Sequence, residues 1–236
     1  MRRDVVISDI DGTTAADGNA HTIRQVVDTQ CGITVRDSRG RTPLHKACWS
    51  DIDDNSKVVF LLQRDASLVN LTDNCKRTPL HFAALRGKSV VVKTLLDYGA
   101  AVDAPGKHGR TALHNACEKG HVACIHQLMV GGAQIEARDS GRGDTPLHLA
   151  AHFNHPDSVE TLVDFSKASI NATNNFGSTA LHRAAHLGHT IVVRMLASHP
   201  LCDITIRNKI GRSAADVASD NGLQHIVALL NSISKG

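Results

Sequence analysis

Thr145-Pro146-Leu147-His148-Leu149-Ala150-Ala151 is one copy of a phrase that the chain repeats along most of its 236 residues. Its four-residue head recurs as Thr42-Pro43-Leu44-His45, Thr78-Pro79-Leu80-His81, Thr111-Ala112-Leu113-His114 and Thr179-Ala180-Leu181-His182, with a worn copy at Ser213-Ala214-Ala215-Asp216. Successive copies lie 36, 33, 34, 34 and 34 residues apart. A fixed period of this size marks a stacked array, because one such unit cannot bury its own apolar face. Thr is placed to cap a helix, and Pro at the first helical position gives up an N–H that has no partner there. Leu begins the buried stripe. His is placed to bond back to Thr and across to neighbouring backbone. Two columns of small residues follow: Ala47, Ala83, Ala116, Ala150, Ala184 and Ala218, then Cys48, Ala84, Cys117, Ala151, Ala185 and Ser219. Small side chains there let helices of adjacent units approach closely.

The Thr-Pro-Leu-His phrase at this period resembles the ankyrin repeat. The resemblance implies an all-α solenoid of stacked helix-turn-helix units carrying β-hairpin fingers. The units divide as 37–72, 73–105, 106–138, 139–173, 174–207 and a C-terminal cap at 208–236, preceded by a degenerate N-terminal capping repeat over 1–36. Second helices carry runs such as Val90-Val91-Val92 and close at Gly99-Ala100 or Gly132-Ala133, where glycine can turn left-handed. Departures from the pattern fall in loops. Asp51-Ile52-Asp53-Asp54 lengthens the first unit, Lys76 replaces a finger glycine and is expected to distort that turn, and Gly141-Arg142-Gly143 adds a residue to another finger.

Composition agrees with a binding module inside the cell. Hydrophobic residues make up 42% and aromatics only 3%, so the core must be aliphatic, and a net charge of +3 does not by itself call for nucleic acid. No apolar run approaches the ~18 residues of a membrane span. No secretory leader is recognisable at Met1-Arg2-Arg3-Asp4, so the six separated cysteines are read as reduced.

Two stretches invite chemistry. Val5-Val6-Ile7-Ser8-Asp9-Ile10-Asp11-Gly12-Thr13 is similar to the first motif of haloacid-dehalogenase-type phosphatases, which implies Asp9 as nucleophile, Asp11 as proton handler and Mg²⁺. That chemistry needs a large doubly wound sheet, and repeats already claim everything after residue 36. His114-x2-Cys117-x3-His121-x2-Cys124-x-His126 and His182-x3-His186-x2-His189 are dense in zinc-type ligands, but the repeat accounts for nearly all of them one at a time. No enzyme, metal or cofactor is therefore expected.

Function should lie in residues that the repeat does not dictate. After the small columns come two free positions per unit: Trp49-Ser50, Leu85-Arg86, Glu118-Lys119, His152-Phe153, His186-Leu187 and Asp220-Asn221. Trp49, Phe153 and Leu187 are not needed for stacking, and exposed aromatics and Arg are common binding hot spots. The fingers read as a basic rail of Arg39, Arg41, Lys76, Arg77, Lys107, Arg110, Arg142, Lys209 and Arg212, with Asp144 the acidic exception and Phe176 an apolar tip. By its resemblance the chain is expected to be a non-catalytic adaptor or scaffold. It would grip an acidic protein or peptide along the groove and fingers, as a monomer or as a subunit of a larger complex. Polyanion binding along the basic fingers is the competing partner reading. It is disfavoured because the fingers lack aromatic stacking platforms.

Overall fold

The computed structural model describes residues 33–50, 54–165 and 168–234. The N-terminal cap expected over 1–36 lies outside the described residues apart from 33–36, as do Asp9, Asp11 and the loop residues 51–53.

Twelve α-helices are formed among the described residues, in six antiparallel pairs. They are α1 (Pro43–Trp49) with α2 (Ser56–Arg64), α3 (Pro79–Leu85) with α4 (Ser89–Asp97), α5 (Ala112–Lys119) with α6 (Val122–Val130), α7 (Pro146–His152) with α8 (Pro156–Glu160), α9 (Ala180–Leu187) with α10 (Thr190–Ala197), and α11 (Ala214–Asp220) with α12 (Gln224–Ile233). First helices stack on first helices and second on second, giving two parallel layers. The helices are too short to hold alone, so packing between neighbours stabilises them.

The core lies between and within the layers. Leu44, Leu80, Leu113, Leu147 and Leu181 are buried, as are Val91, Val92 and Leu95 of α4 and their counterparts along the second layer. Each fully buried side chain of this size contributes roughly 1.5–3 kcal/mol. The first small column, Ala47 to Ala218, is buried throughout. The second is buried through Ala185, whereas Ser219 is exposed. Burial pushes the Cys48 and Cys117 thiols far above their ordinary range, as packing residues require.

A second apolar turn, the 3₁₀ segment Ala66–Asn70, buries Leu68 and Val69 in the first unit. The helix begun by Pro156 widens into a π-helical turn over Thr161–Phe165. No helix among the described residues is long and apolar enough to cross a membrane.

The motif histidine does two things at once. In the first unit Nδ1 accepts the Thr42 N–H at 3.1 Å, while Nε2–H of His45 donates to the Arg77 carbonyl of the next finger at 3.0 Å. His81, His114, His148 and His182 repeat this clasp onto the carbonyls of Arg110, Asp144, Ser178 and Arg212 at 2.8–3.1 Å. A second row points backwards: His121, His155 and His189 each donate to the end of the preceding first helix, at the carbonyls of Leu85, Glu118 and His152. The His–Cys run from 114 to 124 thus resolves into two clasp histidines and two buried cysteines. In the last unit Asp216 stands in the histidine's place, accepting the Ser213 N–H at 2.9 Å.

Among the described residues the fingers are tight turns, with no strand ladder. A backbone bond spans each turn, as in Asp73 N–H to Arg77 O at 2.9 Å, and neighbouring tips join by bonds such as Asn175 N–H to Arg142 O at 2.9 Å. Lys76 does not distort its finger. It takes the left-handed conformation (φ 60°) that Gly40, Gly109, Gly177 and Gly211 take elsewhere. Its N–H still reaches Asp73 O at 3.0 Å. The added residue in the fourth finger is absorbed by a wider closure, Asp139 N–H to Asp144 O at 3.0 Å.

Candidate functional site

The free positions lie at the C-terminal ends of the first helices, beside the fingers. Trp49 is 41% exposed, Phe153 42% and Leu187 40%. The stacked layers leave these three side chains facing solvent, whereas the small-residue columns just before them are buried.

At the N-terminal end the exposed tryptophan sits on a built platform. Its ring meets buried Phe82 edge-on, with centroids 5.7 Å apart, and Phe82 meets His45 in the same way at 5.3 Å. The Arg86 guanidinium lies 4.8 Å over the Trp49 ring, and that of Arg77 lies 4.5 Å over Phe82. Five side chains from two units therefore make up one aromatic platform. Sequence reading named Trp49, Arg77 and Arg86, but not Phe82. It follows the clasp histidine at a position where Lys46, Asn115, Leu149 and Arg183 stand in other units. The variability of that position was the available signal.

The basic rail is less one-signed than its count implies. Asp37, Asp73 and Asp139 lie at the bases of the fingers, and arginines named as rail residues close onto them. Arg41 pairs with Asp37 at 2.8 Å and Arg77 with Asp73 at 2.7 Å. Arg110 pairs with Glu118 of the adjoining helix end and lies 3.6 Å from Asp139. Lys119 also reaches Glu118, at 3.2 Å. The Asp37 and Asp73 carboxyls are partly buried, which raises their pKa, but hydrogen bonds and the facing arginines win and hold both below the ordinary range. Among the described residues Arg39, Lys76, Lys107 and Lys209 have no carboxylate partner. Arg142 instead lies over the exposed Phe176 ring, 5.8 Å from its centroid. The rail survives as a sparser row of free cations at the tips.

Between the third, fourth and fifth units the same face opens a cleft of about 230 Å³. Arg110, Asp139, Arg142, Asp144, Leu149, His152, Phe153 and Arg183 line it, together with His108 and Gly141. Asp144 is buried, accepts from Asn174 Nδ2 at 2.6 Å, and lies 3.5 Å from Arg183. The His152 ring is edge-on to Phe153 at 4.7 Å, and burial, helped by the nearby Arg183 charge, lowers its pKa. Arg110, Arg142, His152 and Phe153 were singled out from sequence. Arg183, His108 and the two aspartates as cleft residues were not. Leu85 is half-buried at the same register, and His186 is exposed and bonded to Asn221 at 3.0 Å.

Comparison with known proteins agrees with the architecture. The family model described as "Ankyrin repeats" matches residues 51–139, 123–208 and 147–235. The B-cell lymphoma 3 protein of Homo sapiens is 32% identical over 136 residues, 56% of this chain and 30% of its own length. The probable E3 ubiquitin-protein ligase XBOS31 of Oryza sativa subsp. japonica is 37% identical over 115 residues, 48% of this chain and 26% of its own. The E3 ubiquitin-protein ligase XBAT32 of Arabidopsis thaliana is 33% identical over 92 residues, 39% of this chain and 18% of its own. The chain thus spans less than a third of each relative's length.

Proposed function

Since the chain belongs to the ankyrin-repeat family, whose fold serves protein–protein interaction, we propose that it is a non-catalytic adaptor that grips a protein partner on the finger side of its first helices. The observation that carries this reading is the set of large apolar side chains left exposed there, Trp49, Phe153 and Leu187, beside the buried small-residue columns of the same helices. Trp49 in particular is held by Phe82 and Arg86, so ordering it on binding costs little further entropy. The unpaired cations at the finger tips favour an acidic partner and would act mainly on the rate of encounter. The ligase names belong to relatives most of whose length this chain does not share, and no transfer chemistry is proposed for it.

The test is site-specific photo-crosslinking in the full chain. A crosslinker at Trp49, Phe153 or Leu187 is expected to capture the partner, and one at exposed Val130 or Ile191 on the second-helix layer is expected not to. Capture from Val130 and Ile191 alone would overturn the reading.

A further inference from the structure

The cleft between the third and fifth units has a chemistry of its own. Two of its guanidinium nitrogens, Nε of Arg110 and Nε of Arg183, are buried without a hydrogen-bond partner, as is Nδ1 of His152. A buried donor left unmade costs about 1–3 kcal/mol, more when charged, so one is rare and two at one cleft are rarer still. Arg110 and Arg183 each have a carboxylate nearby, Asp139 at 3.6 Å and Asp144 at 3.5 Å, but neither carboxylate accepts from Nε. Asp139 Oδ1 is spent on the backbone N–H groups of Arg142 and Asp144, and Asp144 Oδ1 on Asn174. The remaining oxygens, Oδ2 of Asp139 and Oδ2 of Asp144, face the two guanidiniums from 3.6 and 3.5 Å without a hydrogen bond to either Nε, so the site has unused donors.

We infer that this cleft is a seat for one carboxylate, the side chain of a Glu or Asp on the partner protein, received by Nε–H of Arg110 and Arg183 with His152 beside them. The inference rests on the proposed groove reading and deepens it by naming one chemical requirement of the partner. Charge selects the occupant. Among the arginines and carboxylates of the lining, Arg110, Arg142 and Arg183 stand against Asp139 and Asp144, an excess of one positive charge. A single carboxylate neutralises that charge, whereas a doubly charged phosphoryl group would leave uncompensated negative charge against buried Asp144. Size selects in the same direction. About 230 Å³ is below the roughly 300–1,000 Å³ of pockets for whole small molecules, and suits one side chain entering from a larger ligand. Leu149 and Phe153 supply an apolar wall for the methylene stem of that side chain.

Two measurements test this. In the wild-type protein, Arg Nε–Hε resonances are followed by NMR during titration with a capped Gly-Glu-Gly peptide at constant ionic strength. Capped Gly-Gln-Gly and inorganic phosphate serve as the other arms. The Arg110 and Arg183 signals are expected to move with the glutamate peptide and not with its glutamine counterpart. Equal movement with both peptides, or saturation at a lower phosphate concentration than glutamate concentration, overturns the carboxylate seat. Second, peptides are selected from a random display library against the full chain. Those displaced from crosslinkers at Trp49 and Phe153 are expected to share one acidic position. Its Glu→Gln change should weaken binding about tenfold for wild type, and much less for the folded variant Arg183→Lys, which keeps the charge facing Asp144 but loses Nε–H. Selected groove peptides without a fixed acidic residue refute the seat and leave the groove reading standing. Peptides insensitive to both crosslinker positions refute both.

Discussion

Acid should unlock the array through its clasp histidines, and His114 allows the effect to be sized. Its ring is fully buried, Nδ1 accepts the Thr111 N–H at 3.1 Å and Nε2–H donates to Asp144 O. Burial is the main reason its pKa falls from an ordinary 6.5 to about 4, since the bond to Asp144 recovers only part of the loss. Protonation would also turn Nδ1 from an acceptor into a donor facing the donor of Thr111. The sign follows directly. Above pH 6.5 the ring is neutral folded and unfolded, and its contribution is intact. Below 6.5 the unfolded chain takes up the proton first, so stability falls until the folded ring also protonates near pH 4. With about 1.36 kcal/mol per pH unit, the loss from this one residue is about 2 kcal/mol at pH 5 and approaches roughly 3.4 kcal/mol below pH 4. His114→Gln removes the titration and is expected to cost about 1–3 kcal/mol at pH 7 by leaving buried groups unpaired. Urea unfolding followed by circular dichroism at pH 7 and pH 5 then gives the decisive comparison. The gap between wild type and His114→Gln should shrink by about 2 kcal/mol on going to pH 5. Parallel stability curves for the two proteins, or an imidazole NMR titration of folded His114 near 6.5, would refute the reasoning.

Gly120→Ala should destabilise by at least about 1–2 kcal/mol in the same unfolding assay. Its φ is 72°, and an added Cβ would sit 2.5 Å from the His155 ring that clasps the preceding helix. An unchanged midpoint would show that the turn relaxes freely. Lys76→Gly should stabilise by up to about 1 kcal/mol by releasing a left-handed lysine, and a lowered midpoint would count against that account. Ala150→Phe should cost about 1–3 kcal/mol or prevent folding, because it overfills a fully buried column between first helices; native circular dichroism with an unshifted midpoint would contradict that packing. Trp49→Ala should weaken partner binding by tenfold or more in a calorimetric titration while helical content holds, and equal affinity would move the hot spot elsewhere.

The fold was legible because its determinants are local and periodic. Thr, Pro, Leu, His and paired small residues each carry a role visible one unit at a time, and stacking repeats that role. The site was legible only in part. Trp49 and Phe153 stood out because the core does not require them. The fingers were misread as nearly uniform in charge because Asp37, Asp73 and Asp139 look like turn formers in one dimension, and only folding brings them against Arg41, Arg77 and Arg110. Arg183 was hidden for the same reason. It belongs to the fifth unit in sequence, yet it completes a cleft whose other walls come from the third and fourth.

Each clasp histidine holds the carbonyl at the base of the finger that follows it, so a finger takes its aim from the helix of the unit before it. Changes that retune a contact tip can therefore arise one module upstream, in residues that never touch the ligand. Exchanging whole units between such arrays would transplant a tip without its mount. The pair formed by a helix and the succeeding loop is the smallest portable piece of specificity.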